Sequence, residues 1–238
     1  MNKSKLGDYA QESVDVKPQI YRHNLLGFRK APSISQPLHI RTQEDQKRTM
    51  ECVFWATCEA IESYVYANSS DGYWWSIPRD ETQRLIEIAR KNGTYDPSRG
   101  AYMDACLEVL KTNPVTMEDG MGGTKEIRVK DFWICAKRNQ SMDEYINSIK
   151  LAIFKGGIVW GFNTTRGNIG YYEAKKDGII KDNKDPIPFG HATACTAYDE
   201  DWLYLPGSWG EKVADYGVFM LDPVLSKRMF SPLAFSLI

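Results

Sequence analysis

Two residues in this chain combine the right chemistry with a position at the start of a regular element. Cys52 lies near the start of the helix-like run "MECVFWATCEAIESY", and His191 opens "HATACTAY". A thiol with a reference pKa of ~8.5 is mostly protonated at neutral pH, and it is the thiolate that attacks a carbonyl. A helix N-terminus presents unpaired N–H groups and the positive end of the macrodipole, so a thiolate in the first turn is stabilised. A nearby imidazolium adds a larger effect, and the two groups then work as nucleophile and general acid. The same residues have plainer readings. Cysteine is among the most buried residue types, and a histidine opening a strand is often a hydrogen-bonded structural residue. Cys58 and Cys106, on apolar faces, are read as core. His23 and His39 have no chemical context.

The elements that must position Cys52 and His191 follow from periodicity. Phe54, Cys58, Ile61 and Val65 recur at helical spacing, and Thr49 is the expected N-cap. Cys52 then falls in an exposed first turn, off the buried stripe. Helices are also predicted over 80–91, which ends at "NG", and over 101–111, which ends before Pro114. Ser141 and Glu144 form a capping box for a helix through Ile146, Ile149 and Ile153 that Gly156 and Gly157 stop. Strand-like runs follow: "GIVWGFN", "HATACTAY", "DWLYLP" and "DYGVFMLD". Helices first and strands later predict an α+β fold of two unlike lobes, with a cleft between them as the natural site.

Composition narrows the class. The chain has 238 residues, enough for one domain or two joined lobes with a real core. Lys and Arg number 30 against 31 Asp and Glu, for a net charge of -1 and no basic stripe, so nucleic acid and anionic membranes are not expected partners. The polar start "MNKSKLGDYAQESVDVKPQ" lacks the apolar core of a secretory signal, and no run reaches transmembrane length. A cytoplasmic protein is the expectation, with association to a virion left open. Five scattered cysteines, without a C-x-x-C pair and with only three histidines, argue against a zinc site or a disulfide framework. No cofactor is expected. Residues 1–36 mix charges with Pro18 and Pro32 and read as an arm or linker.

Two blocks carry a family resemblance. "DQKRTMECVFWATCEAIES" resembles the active-site helix of the papain-like cysteine peptidases, with Asp45-Gln46 in the place of the family's Asp-Gln and Cys52 six positions after Gln46. "GHATACTAYDEDWLYLPGSWGEKVADYGVFML" resembles their C-terminal signature: a glycine-preceded His191, then Ser208-Trp209-Gly210, then a Tyr-Gly-x-Phe strand. The resemblance runs over about residues 37–222 and is nearest to compact bacterial and phage-type members. It implies a papain-like two-lobed fold over 37–238. The helical lobe would occupy about 45–120, and an antiparallel, barrel-like β lobe about 121–222 plus a C-terminal tail. It further implies a Cys52–His191 dyad that hydrolyses peptide or isopeptide bonds, and a polypeptide as substrate or partner. Gln46 would donate to the oxyanion together with the Cys52 N–H, and Trp209 would shield the histidine's hydrogen bond.

The sequence departs from the family at informative places. Gly207 stands where an asparagine normally precedes Ser-Trp-Gly, so the side chain that orients the imidazole is missing. A backbone carbonyl, a water or Asn163 are the available substitutes. Glu51, beside Cys52, would oppose the thiolate if it faced the cleft. Thr49 replaces the usual disulfide-forming cysteine, and "SRGAY" at 98–102 is the nearest counterpart of the family's Gly-Gly substrate-binding segment. The alternative to a peptidase, of activity lowered by Gly207, is a weakened papain-like domain kept for binding or assembly, for instance in a phage particle.

Overall fold

The structure, a computed structural model, describes residues 31, 49–69, 75–156, 158–163, 174, 177–182, 190–208, 210, 217–229 and 232–238, and of 156 and 161–163 the backbone alone. Helix α1 spans Cys52–Asn68, and 12 of its 17 residues are buried. The expected one-sided stripe is therefore corrected: α1 is a central helix buried on several faces as far as Val65, with Tyr66 and Asn68 exposed at its C-terminal end. Small residues such as Ala56 and Ala60 let neighbours approach its other faces. Glu62 is tolerated inside because its carboxylate accepts the Ile77 N–H. The cap is corrected as well. Glu51 is the N-cap, and Thr49, three residues ahead of the helix, is too far back to bond its first N–H groups. The Thr49 hydroxyl donates instead to the Glu51 carboxylate at 3.0 Å.

Helix α2, Arg79–Lys91, matches its expected span, with Asp80 and Glu81 in its first turn and Arg90 and Lys91 in its last, both favourable to the helix dipole. Two short strands, β1 (Tyr95–Asp96) and β2 (Gly100–Ala101), pair as a hairpin. Gly100 has φ +89°, a conformation that needs glycine. Because residues 100–101 are spent on that pairing, helix α3 covers Ala105–Thr112 and starts later than the expected 101. Strands β3 (Val115–Glu118) and β4 (Thr124–Ile127) form a second hairpin.

Two four-stranded sheets carry the rest, without closing into a barrel among the described residues. The first contains β5 (Val129–Ile134), β6 (Ile158–Asn163), β8 (Gly190–Cys195) and β12 (Leu233–Leu237) in the order β5-β12-β6-β8. The second joins β7 (Ile179–Ile180), β9 (Ala197–Tyr198), β10 (Leu203–Pro206) and β11 (Val218–Leu221) in the order β7-β11-β10-β9, with β7 parallel to β11. The run "HATACTAY" is thus two strands, broken at Thr196. Helix α4, Met142–Gly156, precedes β6, and its capping box forms as read: the Glu144 N–H donates to Ser141 Oγ, and the Ser141 N–H donates to the Glu144 carboxylate.

The first sheet separates two cores. Ala192, Ala194, Val159, Leu233 and Phe235 pack with the side chains of α1, α2 and α3. Cys195, Trp160 and Ala234 pack with Tyr145, Ile149 and Ile153 of α4 and with Leu203 and Phe219 of the second sheet. All six residues of β8 are consequently buried. The C-terminal stretch, which the sequence leaves as a tail, supplies β12 in the interior of the sheet. Ahead of Thr49, Ala31 is buried and its N–H donates to Asn147 Oδ1 on α4 at 2.8 Å.

Candidate active site

Cys52 is the first residue of α1, and His191 is the second residue of β8, paired across the sheet with Phe162. The two blocks meet directly: the Ala192 N–H donates to Cys52 Sγ at 3.4 Å, across 140 residues of sequence. Helix α1 supplies the sulfur at its N-terminus and β8 supplies the residue after the histidine, so sheet and helix together bring Cys52 and His191 into one neighbourhood.

The sulfur is less accessible than a first-turn position suggests. Cys52 is 4% exposed, as is His191. Burial pushes the Cys52 thiol up from 9.0 to about 11, because a thiolate would lose its hydration there. The Ala192, Val53 and Cys52 N–H groups act in the opposite sense, which is the expected effect of a helix start on a sulfur anion. Glu51 plays no part in that shift. Its Oε2 accepts from Trp55 Nε1 at 3.3 Å and from Gln83 Nε2 at 3.5 Å, in addition to Thr49. The carboxylate is thereby turned along α1 toward α2. Its charge is felt instead by Tyr95, whose hydroxyl is raised to about 12 by burial first and by Glu51 second. Tyr95 packs edge-on against Phe54, with ring centroids 5.5 Å apart.

Gly207 and Ser208 follow β10 directly, and the Gly207 N–H donates to the Gly217 carbonyl at 2.8 Å. Together with Trp55, Glu59, Thr82 and Thr193 they line a recess of about 370 Å³, its open mouth included, between α1 and the end of β10. Gln46 and Trp209 lie outside the described residues, as does the Asn163 side chain. Residues 100–101 of "SRGAY" form β2, and Tyr102 beyond it is 40% exposed. Cys58 and Cys106 are buried in the first core, and Cys58 Sγ receives the Thr82 hydroxyl at 3.5 Å. All five cysteines are free thiols. Among the described residues no three His, Cys, Asp or Glu side chains gather as a metal site, and no helix is long and apolar enough to cross a membrane.

Sequence reasoning passed over Thr193. The available signal was its place two residues after His191, on the same face of a strand. Its hydroxyl donates to the Pro206 carbonyl at 2.7 Å.

No protein-family model and no curated protein matches the chain. Solved structures do. Xylellain, a cysteine protease from Xylella fastidiosa, is 16% identical, with 99% of this chain and 97% of that one covered at a TM-score of 0.66. Procathepsin B from Trypanosoma congolense is 10% identical over 99% of this chain and 87% of that one, at 0.69. The bromelain protease from Ananas comosus, solved with the inhibitor E64, is 13% identical over 83% and 94%, at 0.59. The chain has the papain-like fold, α+β with three of its four described helices ahead of two mostly antiparallel sheets, as the two sequence blocks imply.

Proposed function

We propose that this chain is a papain-type cysteine peptidase in which Cys52 is the nucleophile and His191 its acid–base partner. The observation that supports it most is the Ala192 N–H on Cys52 Sγ, at the junction of a helix N-terminus and a histidine-bearing strand, in a fold shared with cysteine proteases. A proton passing from Cys52 to His191 produces a thiolate–imidazolium pair, which the surrounding N–H groups favour. The sulfur forms a bond to the scissile carbonyl carbon, and the carbonyl electron pair moves onto oxygen. Gln46 and the Cys52 N–H are the donors assigned to that oxyanion; loss of one such donor costs roughly 3 kcal/mol of barrier in related chemistry. As the C–N bond breaks, His191 gives its proton to the leaving amine. Water then attacks the thioester, His191 takes the water's proton, and the acid product leaves as Cys52 Sγ is released. The substrate class is polypeptide, cleaved at a peptide or isopeptide bond.

One observation favours the second reading, a papain-like domain of weak activity kept for binding. The thiol pushed to about 11 is a poor nucleophile unless the imidazolium offsets its burial. Labelling with an epoxide warhead decides between the two. The peptidase reading expects Cys52 to react at neutral pH faster than the other four cysteines, and expects no such fast site in Cys52→Ala. Equal rates at all cysteines leave the binding reading.

A further inference from the structure

Strands β8 and β10 belong to different sheets. They are joined through the main chain where the Thr196 N–H donates to the Tyr204 carbonyl at 3.2 Å. Toward the site the join continues through a side chain, the Thr193 hydroxyl on the Pro206 carbonyl at 2.7 Å, with Thr193 1% exposed. Through these two contacts β8 and the residue after it run alongside β10, and Ala197 beyond them pairs with Tyr204. Ala192, the residue after His191, lines one recess with Pro206, Gly207 and Ser208, so the segment after β10 lies next to the strand that carries the histidine. Proline has no N–H of its own to hold the segment. On its far side the segment is held by the Gly207 N–H on Gly217, and toward α1 Gly207 and Ser208 border the recess.

We propose that Thr193 is a positioning residue for His191. Its hydroxyl fixes the Pro206–Ser208 main chain against the strand that carries the histidine and supplies through the backbone the orientation that residue 207, lacking a side chain, does not provide. The proposal rests on the reading of His191 as the partner of Cys52. The near-isosteric Thr193→Val removes the hydroxyl and keeps the β-branch that suits a buried strand, and Thr193→Ala removes both. Thr193→Ser restores the hydroxyl.

The test uses the full chain and two readouts. The first is the pair of imidazole ring nitrogen signals followed through a pH titration. With only three histidines present, those of His191 are assigned by their loss in His191→Ala. The second is the pH profile of epoxide labelling at Cys52. Thr193→Val and Thr193→Ala are expected to mix the His191 tautomers, to move its titration midpoint and to slow labelling roughly 10- to 100-fold, with Thr193→Ser close to wild type on both. A lower melting temperature with unchanged His191 signals and midpoint, in whichever hydroxyl-free variant folds, overturns the proposal. If wild-type Cys52 labels no faster than the other cysteines while the His191 signals still respond to Thr193→Val, the positioning role stands and the peptidase reading alone falls.

Discussion

The Ala192 N–H donates to Cys52 Sγ at 3.4 Å, so the residue after the histidine is itself bonded to the candidate nucleophile. That contact ties the strand carrying His191 to the helix start that carries the sulfur. A displacement of β8 relative to α1 therefore alters an N–H group that favours the Cys52 thiolate, and the pH behaviour of Cys52 reports on the junction.

With burial holding the thiol near 11, its thiolate is scarce at neutral pH unless an imidazolium stands beside it. Wild-type protein is expected to react with iodoacetamide at Cys52 from neutral pH upward, on a plateau set by the ion pair. In His191→Ala the rate should rise only toward alkaline pH, following the raised thiol, and be at least about tenfold lower at neutrality. The sign follows from the charge states: an acid whose pKa is raised keeps its proton to higher pH. Overlapping pH–rate profiles for the two proteins would remove His191 from the chemistry.

Gly207 borders the recess between α1 and the end of β10, at the position where an asparagine precedes Ser-Trp-Gly in the family the sequence resembles. Gly207→Asn is expected to raise the labelling rate, and to raise it further in a Thr193→Val background, where the backbone route to orientation has been removed. Equal effects in both backgrounds would mean that residue 207 and Thr193 act on different groups.

Phe235 on β12 is 4% exposed and packs in the first core, against Tyr64 of α1 with ring centroids 5.8 Å apart. Phe235→Ala should cost about 3–5 kcal/mol, read as a lower urea midpoint at unchanged slope. A change within about 0.5 kcal/mol would instead be the behaviour of a surface tail.

Some of this protein was legible without coordinates because its causes are local. The Ser141–Glu144 box is complete within four residues, and it forms. The placement of Cys52 in a first turn needed only the helical run that follows it, although the cap moved from Thr49 to Glu51. The strands "GIVWGFN" and the first part of "HATACTAY" appear as β6 and β8 because β-branched and small apolar residues suit a sheet buried on both faces.

What the tertiary structure alone decided depends on residues far apart in the chain. The burial of Cys52 depends on residues far along the chain, Ala192 of β8 among them, and no window around residue 52 contains them. Leu233–Leu237 reads as a tail until β5 and β6 are seen to leave a strand's width between them. The direction of the Glu51 carboxylate is set by Trp55 and by Gln83, on a different helix. By itself the sequence determined which groups are chemically able, a cysteine at a helix start and a histidine at a strand start, because those properties belong to a residue and its immediate neighbours. The contact of the Ala192 N–H with Cys52 Sγ across 140 residues, and the Thr193 hydroxyl that links β8 to the segment after β10, arise from packing and register, which exist only once the chain has folded.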